Sequence, residues 1–257
     1  MFVIALPSYN VNMAIITITE KLGLRRLSPI LAFFKRMNGH SILALAGMAG
    51  PLVLSATDFT AALTSPDYNL IKDSISSLAL TPLGWLQTIG FLAIGLLVEI
   101  FTAGLLFNIK GARGFRFSIG LLVFFGFTLL LIGAFRTDPV GATRTIEGSI
   151  HGLTATAAFW IFPVAILVIA ASLRSDPNWK RIFRYTIIAG ILAIALVITL
   201  GILPDEASWF GLLERIFVAN MIIWVEVAAI NLLLLSVKRG RQVVNKQDSR
   251  DTANPLP

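Results

Sequence analysis

The 257 residues contain no cysteine and only two histidines. That composition excludes disulfides, thiolate zinc sites and cysteine nucleophiles, and it rules out a zinc site built on three histidines. Charge is scarce as well, at 14% Asp, Glu, Lys and Arg, where soluble domains carry about 25%. No lysine or arginine lies in the interior of the long apolar runs, which argues against a salt-bridged anion path through them. No basic residue precedes the first apolar stretch, Val11–Thr19, and that stretch is too short to span a bilayer, so a cleavable signal peptide is not indicated. The chain also lacks an internal repeat and a strained serine turn of the nucleophile-elbow kind.

What the chain has in abundance is apolar length. Hydrophobic residues make up 56% and the mean hydropathy is +0.81. Six runs, at roughly 41–63, 86–108, 117–135, 152–173, 185–203 and 212–237, reach the ~20 residues that a ~30 Å hydrocarbon core requires. They are apolar all round rather than alternating, which excludes a β-barrel. Lipid offers no partner for backbone polar groups, so helices are the remaining solution. The expected fold class is all-α, a polytopic membrane protein with a bundle of six transmembrane helices.

The few charges are sorted. Seventeen of the 21 Lys and Arg fall before the first run, in the second and fourth loops, or after the last run. The other four (Lys72, Arg136, Arg144, Arg215) and eight of the 14 acids fall in or beside loops one, three and five. One side of the bundle therefore carries about +13, the other about −4, and the apolar interior −2, from Glu99 and Glu226. Basic loops stay cytoplasmic. The expected topology is a plasma-membrane protein with both termini cytoplasmic and loops one, three and five outside. The sequence pI of about 10.1 is then a topology signal: no basic face interleaved with aromatics points to nucleic acid.

The expected domains are a basic N-terminal arm at 1–38, amphipathic or disordered, with Met37 as an alternative start; a six-helix domain at 39–238; and a disordered polar tail at 239–257. In the arm, Lys21, Arg25, Arg26, Lys35 and Arg36 suit an anionic inner surface. In the first external loop, Ser65-Pro66 reads as an N-cap followed by proline at the first helical position. Ile71, Ile75, Leu78 and Pro82 follow at helical spacing, predicting a short interfacial helix with Trp85 at the headgroup level. Asp138-Pro139 reads as a turn, and His151-Gly152 as the opening of the fourth span.

The outer-side elements, in their order, resemble the DUF998 family of uncharacterised multi-pass membrane proteins. The pieces that carry the resemblance are Gly50-Pro51, Asp67-Tyr68-Asn69 through Asp73-Ser74-Ile75-Ser76-Ser77-Leu78, Gly84-Trp85-Leu86, Gly90-Phe91, Thr137-Asp138-Pro139, His151-Gly152, and Gly211-Leu212-Leu213-Glu214-Arg215 with Trp224. The resemblance spans about Gly39 to Lys238. It implies a six-helix domain and membrane residence, and it brings no reaction with it.

Two constellations stand out. Asp58, Lys72, Asp73, Arg136, Asp138, His151, Glu214 and Arg215 lie at outer helix ends, which converge in a compact bundle because helices pack 8–10 Å apart. With the hydroxyls of Ser74, Ser76, Ser77 and Thr81, such a cluster suits a small polar molecule or a lipid headgroup, Arg136 or Arg215 gripping an anionic group. The same residues also suit helix capping and mutual pairing, Glu214 being favoured in a first helical turn by the macrodipole alone. The second constellation is Glu99 and Glu226, at matching depth inside apolar runs, where carboxyl groups are functional candidates by default. The leading expectation is a protein that binds or senses a polar ligand or lipid headgroup at its outer face. The alternatives are a small proton-coupled transporter using Glu99 and Glu226, a structural or assembly protein without ligand, and an outer-face hydrolase drawn from His151, an aspartate and a serine of the 74–77 run. No catalytic residue, metal or cofactor is assigned, and the expected partners are the lipid bilayer and such a ligand.

Overall fold

The computed structural model describes residues 39–204 and 207–253. The arm at 1–38, Asp205, Glu206 and 254–257 lie outside the described residues. Helix α1 is Gly39–Leu63, α2 Gly84–Asn108, α3 Phe115–Ala134, α4 Ile146–Ser175, α5 Phe183–Ile202 and α6 Phe210–Ala253, with short 3-10 helices at Ile75–Leu80 and Lys180–Ile182. Gly39–Leu235 forms one compact unit. All six helices are long and apolar enough to cross a membrane, and large apolar side chains such as Leu96, Phe124, Ile188, Ile191 and Ile223 stand exposed on the bundle surface. The chain is a multi-pass membrane protein. Its helix ends form two faces, here called the acidic end (loops one, three and five) and the basic end.

Consecutive helices from α1 to α5 pack against one another, and α6 touches α1, α4 and α5. An added Cβ at Gly47 of α1 would meet Phe101 of α2 at 2.6 Å and Ala229 of α6 at 2.9 Å. Side chains of α2 and α6 close on α1 there, and an added methyl would force Phe101 or Ala229 to shift. Deeper in the core, Phe125 of α3 meets Phe162 of α4 at a ring-centroid distance of 5.0 Å. Phe162 in turn meets Trp224 of α6 edge-on at 5.7 Å. Such pairs add about 0.5–1.5 kcal/mol each beyond their burial. Trp224 donates its indole N–H to Thr186 Oγ1 of α5 at 3.0 Å, so its one polar atom is satisfied inside an apolar core.

The spans agree with the apolar runs to within a few residues, except in two helices. Helix α4 begins at Ile146 rather than near 152, because Thr145 caps it by accepting the Gly148 N–H at 3.0 Å. The added turn contains Glu147, favoured by the helix dipole, and its polarity hides it from a hydropathy scan. Helix α6 continues to Ala253, through much of the tail expected to be disordered. The segment Arg241–Ala253 contains many good helix formers and no proline, so propensity permits the continuation.

The first loop also departs from expectation. Ser65 does not cap a helix; its hydroxyl donates back to Ala61 O of α1 at 2.8 Å. The helical segment starts at Ile75, capped by Ser74, which accepts the Ser77 N–H at 3.2 Å. It is a 3-10 helix whose Ile75 and Leu78 are buried, while Ile71 stays exposed and outside it.

The basic end is more ordered than a set of topological charges would be. Asp176 accepts the Lys110 N–H at 2.9 Å and the Asn178 N–H at 2.8 Å. Fully buried Trp179 donates to Asn108 O at 3.1 Å, and Arg181 Nε donates to Asn231 Oδ1 at 2.7 Å. Loops two and four are thereby tied to each other and to α6.

Candidate functional site

The eight acidic-end candidates separate into two groups. In the first, the start of α6 captures the first loop. Leu212 N–H donates to Ile71 O at 2.9 Å and Gly211 N–H to Lys72 O at 3.2 Å. Buried Glu214 accepts the Ile75 N–H at 2.7 Å, satisfying a free donor in the first turn of the 3-10 helix. Arg215 Nη1 donates to Leu70 O at 2.9 Å and Asp73 O at 2.8 Å, and Nη2 donates to the Tyr68 hydroxyl. The guanidinium also lies 5.4 Å from the Tyr68 ring centroid. Burial pushes the Tyr68 phenol up to about 12, against a partial opposing pull from Arg215. Asp58 lies within reach of the Arg215 charge, and Asp58 Oδ1 and Arg215 Nε are both buried without a hydrogen-bond partner. The Asp73 carboxylate accepts the Asn69 N–H at 2.7 Å and holds the loop's own turn, while the Lys72 side chain is exposed. Arg215, named from sequence as a ligand grip, has both terminal nitrogens engaged by this loop.

The second group gathers on the other side of the same loop. His151, buried in the second turn of α4, has Nδ1 at 2.8 Å from Phe135 O and Nε2 at 3.0 Å from Ser76 Oγ. A carbonyl only accepts, so in the neutral ring Nδ1 carries the proton and Nε2 accepts the Ser76 hydroxyl. Asp138 accepts the Thr145 N–H at 2.9 Å and the Thr145 hydroxyl at 2.8 Å. The Thr145 N–H, followed by its hydroxyl, holds the Asp138 carboxyl below the usual carboxylate range, and the charge of Arg144 acts in the same direction. Arg136 N–H donates to Glu147 Oε1 at 2.7 Å. A small pocket opens here, lined among others by Ser76, Gln87, Thr88, Arg136 and His151.

Gln87 is the residue that sequence reasoning missed. It is 1% exposed, and both Oε1 and Nε2 lack partners. Leaving a buried polar group unsatisfied costs about 1–3 kcal/mol, and such groups in folded proteins call for a reason. The available signal was a lone amide in the first turn of an apolar run. Reading the run as one span passed over it.

A second, larger and partly open cavity lies toward the bundle interior and shares Ser76, Phe91 and Ile132 with the polar pocket. Its lining is apolar apart from Ser76 and Glu214.

The intramembrane acids are placed separately. Glu99 packs on α3, where an added Cβ at Gly126 would lie 2.8 Å from Glu99 Oε1. Glu226 lies on α6 with Oε1 buried and without a partner. No hydrogen bond joins the two carboxyls among the described residues. No group of three or more His, Asp or Glu among the described residues has the arrangement of a metal site.

No curated protein and no solved structure matches the chain. The family described as "Protein of unknown function (DUF998)" matches residues 48–231, from the middle of α1 to the middle of α6. That range contains every acidic-end candidate, the Ser76–His151 pair, Gln87 and both cavities. The chain belongs to the DUF998 family of multi-pass membrane proteins.

Proposed function

We propose that this protein resides in the plasma membrane with its acidic end outside and both termini in the cytoplasm, and that it binds an anionic headgroup in the pocket between the first loop, α2, α3 and α4. The observation that carries this reading is the orphaned amide of Gln87, buried beside Arg136, His151 and Ser76 in one pocket. A carboxylate or phosphate oxygen is the complement of Gln87 Nε2 and the Arg136 guanidinium, and charge-assisted hydrogen bonds of this kind are the stronger class. The orientation rests on the sorting of basic and acidic loops. A Thr88→Cys variant in an otherwise cysteine-free chain gives a reporter in the pocket wall. In vesicles containing phosphatidylglycerol, its reaction with a thiol reagent slows relative to phosphatidylcholine alone. Glycerol phosphate added in solution separates a free ligand from a lipid headgroup. Arg136→Ala on that background weakens protection about tenfold or more, the equivalent of one charge-assisted hydrogen bond. Equal rates in every condition sink the reading.

A second reading, an acyl-transfer enzyme, is supported by the Ser76–His151 geometry alone. The 3.0 Å contact and the tautomer set by Phe135 O are those of a serine and its general base. The orienting acceptor is a backbone carbonyl rather than a carboxylate. A fluorophosphonate probe that labels the wild type and spares Ser76→Ala and His151→Ala supports an enzyme; no labelling of the wild type removes this reading.

A further inference from the structure

We infer that the interior cavity holds one acyl chain, so that the ligand of the acidic end is a membrane lipid with its headgroup in the polar pocket and a single chain inside the bundle. The inference rests on the headgroup reading above and extends it to the class of molecule.

Three observations support it. The two cavities share Ser76, Phe91 and Ile132 as a common wall, so polar and apolar space adjoin as the parts of an amphiphile do. The polarity is graded: Ser76 and Glu214 stand at the acidic end of the larger cavity, and the walls beyond them are apolar, including Val98, Phe125 and Val225. The depth also fits. Lining residues on α6 run from Glu214 to Val225, which at ~1.5 Å per residue is ~16 Å. One leaflet of a ~30 Å hydrocarbon core is ~15 Å thick. A water-filled cavity would need polar partners at depth, and these walls supply none. A soluble polar ligand would leave the deep part unused. Acyl chains are the abundant apolar molecules around the bundle, and a chain of one leaflet has the matching length.

The test uses the full chain reconstituted in phosphatidylcholine vesicles containing phosphatidylglycerol that carries a diazirine near the end of one acyl chain. After irradiation, adducts are mapped by peptide mass spectrometry. The expected result is adducts on the deep wall residues Val98, Phe125 and Val225, besides those on surface residues such as Leu96 and Ile191. Filling the cavity with Ala158→Leu removes the deep adducts and leaves the surface ones. Ala155→Leu, at a half-buried wall position, serves as a second filling variant should the first disturb the bundle. Adducts on surface residues alone in the wild type overturn the inference, whatever the variants do. Failure of the headgroup reading looks different: deep adducts persist while Thr88→Cys shows no protection by any anionic species. Protection by glycerol phosphate equal to that by the lipid, without deep adducts, leaves the headgroup site standing and removes the chain.

Discussion

Glu214 on α6 holds the Ile75 N–H of the first loop at 2.7 Å across 139 residues of sequence. The carboxylate is 7% exposed and serves as the missing cap of a 3-10 helix. Glu214→Ala leaves that donor without its partner, and the expected loss is about 1.5–3 kcal/mol, the range for a hydrogen bond to a charged group. Glu214→Gln retains an acceptor and loses less. Thermal unfolding of the two variants in the same detergent checks the order; equal Tm values for Ala, Gln and wild type would falsify the capping role.

Gly211 faces the same loop. A Cβ there would collide with the Asp73 carbonyl, which also receives Arg215 Nη1. Gly211→Ala is expected to lift the loop off α6 without unfolding the helices. Hydrogen exchange at 70–76 rises while exchange in the core of α4 does not, and unchanged exchange in the loop would count against the close approach.

Tyr68 makes the loop sensitive to alkali. Its phenol has an ordinary value of 10.0 and is raised to about 12 by burial. A raised folded-state value means that the neutral form is favoured by folding. Its contribution is complete below pH 10 and is lost as pH rises toward about 12. The wild-type loop therefore loosens over that window, and Tyr68→Phe removes the dependence. A Tyr68→Phe protein with the same alkaline transition shows that another group is responsible.

Asp138 acts in the opposite direction. Its carboxyl is held below the usual range, foremost by the Thr145 N–H. Its contribution is present above the ordinary carboxylate value and is lost as pH falls through the depressed one. Asp138→Asn is expected to fray the start of α4 at neutral pH and to flatten the acid dependence. Gly148→Ala reproduces the neutral-pH effect by pushing a Cβ into the Asp138 carboxylate. Hydrogen exchange at 146–150 reads both.

Orientation is open to direct chemistry because the chain has no cysteine of its own. Single cysteines at Asp67, Thr143 and Ser208, all exposed at the acidic end, are expected to react with an impermeant thiol reagent on intact cells. A cysteine at Asn178, exposed at the basic end, reacts only after the membrane is opened. Labelling of Asn178→Cys from outside reverses the topology.

The spans were legible because apolar length is a property of each run by itself. The acidic-end cluster was legible as a neighbourhood, since six helices must bring their ends together. Which members would touch was not. Glu214 and Arg215 act on backbone groups of the first loop, and backbone donors and carbonyls have no sequence signature. The Ser76–His151 contact depends on where a 3-10 helix starts, and Ser65-Pro66 suggested a start well before Ile75. Gln87 was hidden for a simpler reason: a single polar residue barely alters the hydropathy of the run around it. On the basic side, Asp176 and Trp179 organise loops that charge counting alone treats as interchangeable.

The capture of loop one by α6 also fixes an order of events during synthesis. The loop emerges from the ribosome long before residues 211–215 exist, and chains are made N-terminus first. Until the sixth helix arrives, the Ile75 N–H and the carbonyls of Leu70, Ile71, Lys72 and Asp73 lack the partners they have in the finished protein. The segment that carries Ser76 therefore gains its α6 contacts last. A nascent chain stopped after α5 has five helices and a first loop without its α6 partners, and arrival of the final span is the step that fastens that loop down.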